Sequence, residues 1–154
     1  MSMANLKLED QPVSKKRLRL WLQMLKTTRF IENELREELR LGFQSTLPRF
    51  DVMAMLDRTR EGLRMSQLSQ QLMVSNGNVT GIIDRLVQEG FVMRVSVKGD
   101  KRATLVRLTP NGIEKFAEMA AEHETWINKH LSEISAEEVD HFSEVLSKIR
   151  EEDH

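Results

Sequence analysis

Residues 66–88 read SQLSQQLMVSNGNVTGIIDRLVQ. Ser66 stands where it can cap a short helix carrying Leu68 and Leu72, after which the polar run Ser75-Asn76-Gly77-Asn78 interrupts the pattern. Beyond the interruption, Val79, Ile82, Ile83, Leu86 and Val87 fall at i, i+3, i+4, i+7 and i+8, one apolar face of a second helix. Two short helices joined by a brief turn, the second amphipathic, form a helix-turn-helix pattern.

Downstream, Gly90 stops the second helix and Phe91–Val97 is a β-branched and aromatic run that predicts a strand. Lys98-Gly99-Asp100-Lys101-Arg102 reads as a polar turn and Thr104–Leu108 as a second strand, giving a hairpin with a charged tip, a candidate wing. Thr109-Pro110 sets an N-cap before Pro at the first helical position, opening a helix with Ile113, Phe116, Ala117, Ala120, Ile127 and Leu131. Ser135-Ala136-Glu137-Glu138 has the form of a capping box for a last helix carrying Val139, Phe142, Leu146 and Ile149. Upstream, Leu18, Leu22, Leu25, Ile31, Leu35 and Leu39 recur near helical spacing from Ser14, with Trp21 and Phe30 widening the face and Gly42 as the predicted stop. Thr46, Leu47 and Pro48 mark a further helix start, with Phe50, Met53 and Leu56 as its buried stripe.

The expected fold is mostly α with a small β-hairpin wing: a winged helix-turn-helix flanked by N- and C-terminal dimerisation helices. Residues 1–13 read as a loose arm, 14–47 as the N-terminal dimerisation helix, 48–109 as the winged region and 110–154 as the C-terminal dimerisation helices. The outer helices carry more apolar surface than a small lobe can cover, which predicts a second copy as partner; an intramolecular bundle of the same helices is the alternative.

The 154 residues are about one domain's length, and 7 Gly with 3 Pro favour helix. There is no cysteine, which excludes disulfides, thiolate-bound zinc and thiol redox sensing. No apolar run is long enough to span a bilayer, and Lys7, Glu9 and Asp10 precede any apolar stretch, so neither membrane association nor a signal peptide is expected and the cytoplasm is the expected location.

The formal charge of −1 conceals a division along the chain: residues 1–47 carry 9 basic and 6 acidic side chains, residues 48–109 carry 10 and 6, and residues 110–154 carry 4 and 12. A duplex attracts local basic surface over about a Debye length, so a near-neutral total is compatible with a DNA-binding face in the middle segment. A helix in the major groove needs short polar side chains near its N-terminus, and Ser75, Asn76, Asn78 and Thr80 supply them, with Arg85 further along the solvent side. Lys101 and Arg102 are long cations at the wing tip, suited to the minor groove or its phosphates.

Taken with Glu89-Gly90-Phe91-Val92, Asp100-Lys101-Arg102 and Leu108-Thr109-Pro110-Asn111-Gly112, the stretch from Met65 to Leu86 resembles the MarR family of regulators. The resemblance implies a homodimer with interlocked outer helices, two winged lobes reading a pseudo-palindrome in double-stranded DNA, and a repressor released by a small aromatic ligand. One departure is Gly81, which follows Thr80 where many relatives carry Arg and puts the base contact at that position in question.

Arg29, Arg36 and Arg40 fall within about 40° of one another around the first helix, a basic stripe. One reading is a surface ion-pair network in which Glu32 relieves the like charges; the other is an anion site. The chain is similar to the hydroxycinnamoyl-CoA-responsive group of the family, which implies an aromatic acyl-CoA thioester or aromatic acid as effector. In that reading Arg36 and Arg40 meet the ligand's charges, and Trp21, Phe30 and Phe43 are the aromatic candidates for its flat head.

No cofactor and no catalytic activity are expected, because phosphate loop, nucleophile elbow and dinucleotide turn are all missing. His123 and His130 stand seven apart on one helix and His141 lies on another, the wrong spacing for a shared metal. The remaining rival is a helical protein-interaction module with a winged fold and no DNA readout, against which the basic wing and polar reading helix argue.

Overall fold

The computed structural model describes residues 10–72 and 76–150, with the side chains of residues 76, 77 and 101–103 outside the description. The elements in chain order are α1 (Val13–Phe43), α2 (Leu47–Arg58), β1 (Leu63–Arg64), α3 (Met65–Leu72), α4 (Asn76–Gln88), β2 (Val92–Val97), β3 (Asp100–Leu108), α5 (Pro110–His130) and α6 (Ala136–Arg150). The mostly helical class with a small antiparallel sheet agrees with the sequence reading.

Several boundaries differ for local reasons. Gly42 lies inside α1; the stop comes at Gln44, which takes the left-handed conformation at φ 50°. There its N–H donates to the Arg40 carbonyl and the Ser45 N–H to the Leu39 carbonyl. Ser66 is inside the first turn of α3 and is not its cap; Gln67 Oε1 instead accepts the Arg64 N–H at 2.8 Å. The polar run before α4 is shorter than expected, because Asn76 already begins the helix.

Thr46 caps α2 by accepting the Arg49 N–H at 3.2 Å. Thr109 Oγ1 accepts from the Gly112 N–H at 3.0 Å and donates to the Gly90 carbonyl at 2.6 Å, fastening the start of α5 to the end of α4. Ser135 and Glu138 form the reciprocal capping box, each side chain accepting the other's backbone N–H at 3.2 Å.

The sheet has the order β1-β3-β2, all antiparallel. The two-residue β1 has too few residues for an alternating pattern, which is why periodicity missed it; Leu63 pairs with Val106 and Arg64 with Leu105. The β2–β3 turn is tighter than predicted, with Lys98 and Gly99 at its head and β3 beginning at Asp100. Lys101 and Arg102 therefore lie in the first residues of β3 and not in the turn.

The chain divides into two compact units, one ending at Phe116 and the other beginning at Ala117, where length alone predicted one. In the first, Leu35 and Leu39 of α1, Phe50, Met53 and Leu56 of α2, Leu68 of α3, Val79, Ile83 and Leu86 of α4, and Val92 and Val106 of the sheet are buried. Burial along α1 is graded: Leu18 and Leu22 are exposed, Leu25 and Ile31 half-buried, and Leu35 and Leu39 buried. The second unit contains α6, none of whose residues is buried.

Candidate nucleic-acid interface and effector groove

With Val79, Ile83 and Leu86 committed to the core, α4 must present its opposite side outward, and Asn78, Thr80, Gly81, Asp84 and Arg85 are exposed there. Of the predicted DNA-contacting residues, Asn78 and Arg85 share one outward stripe of α4 and line the same hollow, while Thr80 is exposed at the opposite edge of the helix's outward side. Asn76 starts that helix, and Lys101 and Arg102 belong to the β-hairpin, but their side chains lie outside the described set, as does all of Ser75.

Two ion pairs not foreseen from sequence hold α4 in place. Arg94 of β2 bonds to Asp84, tying the outer side of α4 to the wing. At the other end Arg49 of α2 donates from Nη1 to Glu89 Oε1 at 2.8 Å, with Arg49 only 14% and Glu89 27% exposed. The same Arg49 reaches Thr46 Oγ1 with Nε at 3.3 Å and the Gln44 carbonyl with Nη2 at 3.4 Å. Arg85 Nε stands 3.5 Å from the same Glu89 oxygen but is 60% exposed. A hydrogen bond to a charged partner away from water is worth about 1.5–3 kcal/mol, whereas an exposed pair is worth about 0–1 kcal/mol, so Glu89 is bound principally to Arg49. Sequence periodicity cannot register a partner forty positions away.

Two hollows flank α4. An open polar one of about 520 Å³ is lined by Thr46, Arg49, Asn78, Gly81, Ile82 and Arg85. A more apolar groove of about 550 Å³ runs between the end of α1, the start of α2 and α4, lined by Arg36, Arg40, Ser45, Thr46, Leu47, Pro48, Asn78 and Ile82. Thr46, Asn78 and Ile82 face both.

Arg36 and Arg40 therefore meet at the groove, while the other predicted effector residues lie elsewhere. Arg29 is exposed on α1, about 10 Å before Arg36 at ~1.5 Å per residue. Trp21 and Phe30 are exposed still further along or beside that path, about 22 and 9 Å from Arg36 along the axis. Phe43 is half-buried with the Lys115 ammonium 5.3 Å from its ring centroid. None of these four lines the groove.

The cations at the groove have internal partners. Arg36 donates to Asn33 Oδ1 at 2.9 Å and to Glu32 Oε2 at 3.2 Å, the relief by Glu32 that the sequence allowed. Arg40 donates to both Glu37 oxygens, at 3.1 and 2.6 Å. That hydrogen bonding holds the Glu37 carboxyl below its ordinary value and raises Arg40, with the mutual charge attraction acting in the same direction. Among the described residues no group of three acidic, His or Cys side chains is arranged to hold a metal ion, and no helix is long and apolar enough to cross a membrane.

Comparison with known proteins agrees with this geometry. The MarR family model matches residues 45–104, from the cap of α2 to the wing. The HTH-type transcriptional regulator PecS of Dickeya dadantii is 31% identical over 102 residues, 65% of this chain and 61% of PecS, so the matched stretch spans about three fifths of that relative. The uncharacterized HTH-type transcriptional regulator YkoM of Bacillus subtilis is 32% identical over 117 residues, covering 76% of this chain and 74% of YkoM. The crystal structure of a MarR family transcriptional regulator from Silicibacter pomeroyi superposes with a TM-score of 0.77 at 30% identity, covering 92% of this chain and 98% of that one. The arrangement of α2 to β3, the motifs between Met65 and Gly112 and these relatives together place the chain in the MarR family of winged helix-turn-helix transcription regulators.

Proposed function

We propose that the chain is a homodimeric repressor that reads a pseudo-palindromic operator with α4 and the wing and is released by an aromatic acid or aromatic acyl-CoA thioester. The observation that carries the effector part is the shared wall: Asn78 and Ile82 of the reading helix line the groove that also contains Arg36 and Arg40. A ligand seated there touches α4 directly, so it acquires the unequal affinity for DNA-competent and DNA-incompetent arrangements that release requires. Arg36 and Arg40 take its phosphates or carboxylate in exchange for Glu32 and Glu37, and Leu47, Pro48 and Ile82 cover the flat apolar part.

The dimer is supported by exposed apolar side chains on the outer helices, Leu18, Trp21 and Leu22 on α1 and Leu146 and Ile149 on α6. Trp21 and Phe30 belong in this reading to the dimer surface. Selection of duplexes from a random-sequence pool, followed by titration with an aromatic acyl-CoA and its free acid, tests the whole proposal. Enrichment of a two-fold symmetric sequence released by either ligand supports it. Absence of any enriched duplex rejects DNA reading, and enrichment without release rejects the groove as the effector site.

A further inference from the structure

We infer that Arg49 is a positioning residue for DNA binding: by occupying Glu89 it leaves the Arg85 guanidinium available to the phosphate backbone. The inference rests on the reading of α4 as the DNA-contacting helix and adds a residue outside that helix to its machinery.

Glu89 Oε1 has two cationic neighbours, Arg49 Nη1 at 2.8 Å with hydrogen-bond geometry and Arg85 Nε at 3.5 Å. Arg49 is anchored from behind by Thr46 Oγ1 and the Gln44 carbonyl, so its guanidinium is fixed where α1 ends and α2 begins. Arg85 is one helical turn before Glu89, largely exposed, and lines the polar hollow together with Asn78 and Gly81. Were Arg49 neutral, Glu89 would keep a full negative charge on the reading helix with Arg85 as its nearest cation. That carboxylate would both hold Arg85 back and repel the phosphates. With Arg49 present the three groups carry a net positive charge, and it resides on the one side chain that faces solvent.

A merely structural strut and a positioning residue predict opposite results for Glu89→Gln. Binding is measured against salt concentration on the duplex selected by the wild-type chain and on a scrambled duplex, and melting temperature is recorded for each variant. Arg85→Ala should weaken binding and flatten the log–log salt slope by about 0.9 for each phosphate left without its cation. Arg49→Gln should weaken binding severalfold and flatten the slope to a similar extent, and Arg49→Gln/Arg85→Ala should fall below Arg85→Ala only by the repulsion of the uncovered Glu89, a smaller loss than Arg49→Gln causes in the presence of Arg85. Glu89→Gln should melt lower, since Arg49 loses its partner, yet bind both duplexes as tightly as the wild type or more so. Arg49→Gln/Glu89→Gln should restore the wild-type slope that Arg49→Gln flattens.

Glu89→Gln weakening DNA binding in step with its melting temperature would reduce Arg49 to a strut, and an unchanged slope in Arg49→Gln would overturn the inference outright. If Arg85→Ala leaves affinity and slope intact, the Arg85 contact and this inference fall together, while duplex selection by the wild-type chain still stands for the α4 reading as a whole.

Discussion

Gly81 and Gly112 are both helical glycines, and their surroundings assign them opposite sensitivities. A Cβ added at Gly81 meets nothing within 4 Å, whereas one at Gly112 would lie 1.9 Å from the Phe91 carbonyl oxygen. Glycine costs roughly 0.5–1 kcal/mol relative to alanine inside a helix, so Gly81→Ala should raise stability by about that amount, read from urea unfolding. Gly81 faces the same polar hollow as Asn78 and Arg85, so the variant should lose duplex affinity while it gains stability if the helix backbone approaches the groove there. Gly112→Ala should destabilise by about 1–3 kcal/mol or more, because the oxygen it strikes is main chain that cannot step aside. The urea midpoint of the two variants should therefore move in opposite directions.

At the scale of elements, the C-terminal half of α1 carries Arg36 and Arg40 at the groove, each paired to an acid of the same helix, and the proposed anionic effector would have to compete with those acids. Glu37 holds Arg40 through two hydrogen bonds, so Glu37→Gln should free Arg40 and tighten an anionic effector severalfold, measured by calorimetry with the acyl-CoA. The Glu37 carboxyl is lowered from 4.5, so its attraction for Arg40 is complete above that value and is lost only as pH falls through the lower one. Effector affinity in the wild type should accordingly be flat between about pH 6 and pH 8 so far as Glu37 is concerned. Loss of affinity in Glu37→Gln would show that the acid orients Arg40 for the ligand.

The elements also show where sequence was informative. The α4 face, the α2 and α5 caps and the Ser135–Glu138 box were readable because each depends on residues within about one or two turns. The end of α1 was not, because Gln44 took a left-handed conformation that Gly42 was better suited to adopt. At the candidate site, the exposure of Asn78, Thr80 and Arg85 on the outward side of α4 was legible from the helical period, but the pairings of Arg49, Asp84 and Arg94 were not, because they join different elements. Equally, spacing put Arg29, Arg36 and Arg40 on one stripe without revealing that only its last two members border the groove with the start of α2.

For the whole molecule, the outer helices carry apolar residues that a single chain leaves in water, and α6 is the extreme case because nothing on it is buried. The exposed side chains of α6 stand among Glu137, Glu138, Asp140 and Glu144, whereas α1 begins with Lys15, Lys16, Arg17 and Arg19. In the proposed dimer, the opposite charges beside these exposed apolar residues would favour α1 of one copy against α6 of the other. Phe142→Glu/Leu146→Glu should therefore give a folded monomer by sedimentation that has lost its preference for two-fold symmetric duplexes. A dimer that persists would place the interface elsewhere.

The short β1 strand has a mechanical consequence. Leu63 and Arg64 are laddered to Val106 and Leu105, and α3 begins at the very next residue, Met65. The chain therefore passes from the base of the hairpin into the first helix of the helix-turn-helix with no slack between them. In the proposed DNA complex, a lateral push on the hairpin would be conveyed along hydrogen-bonded backbone to α3, making the hairpin a lever whose fulcrum is two residues long.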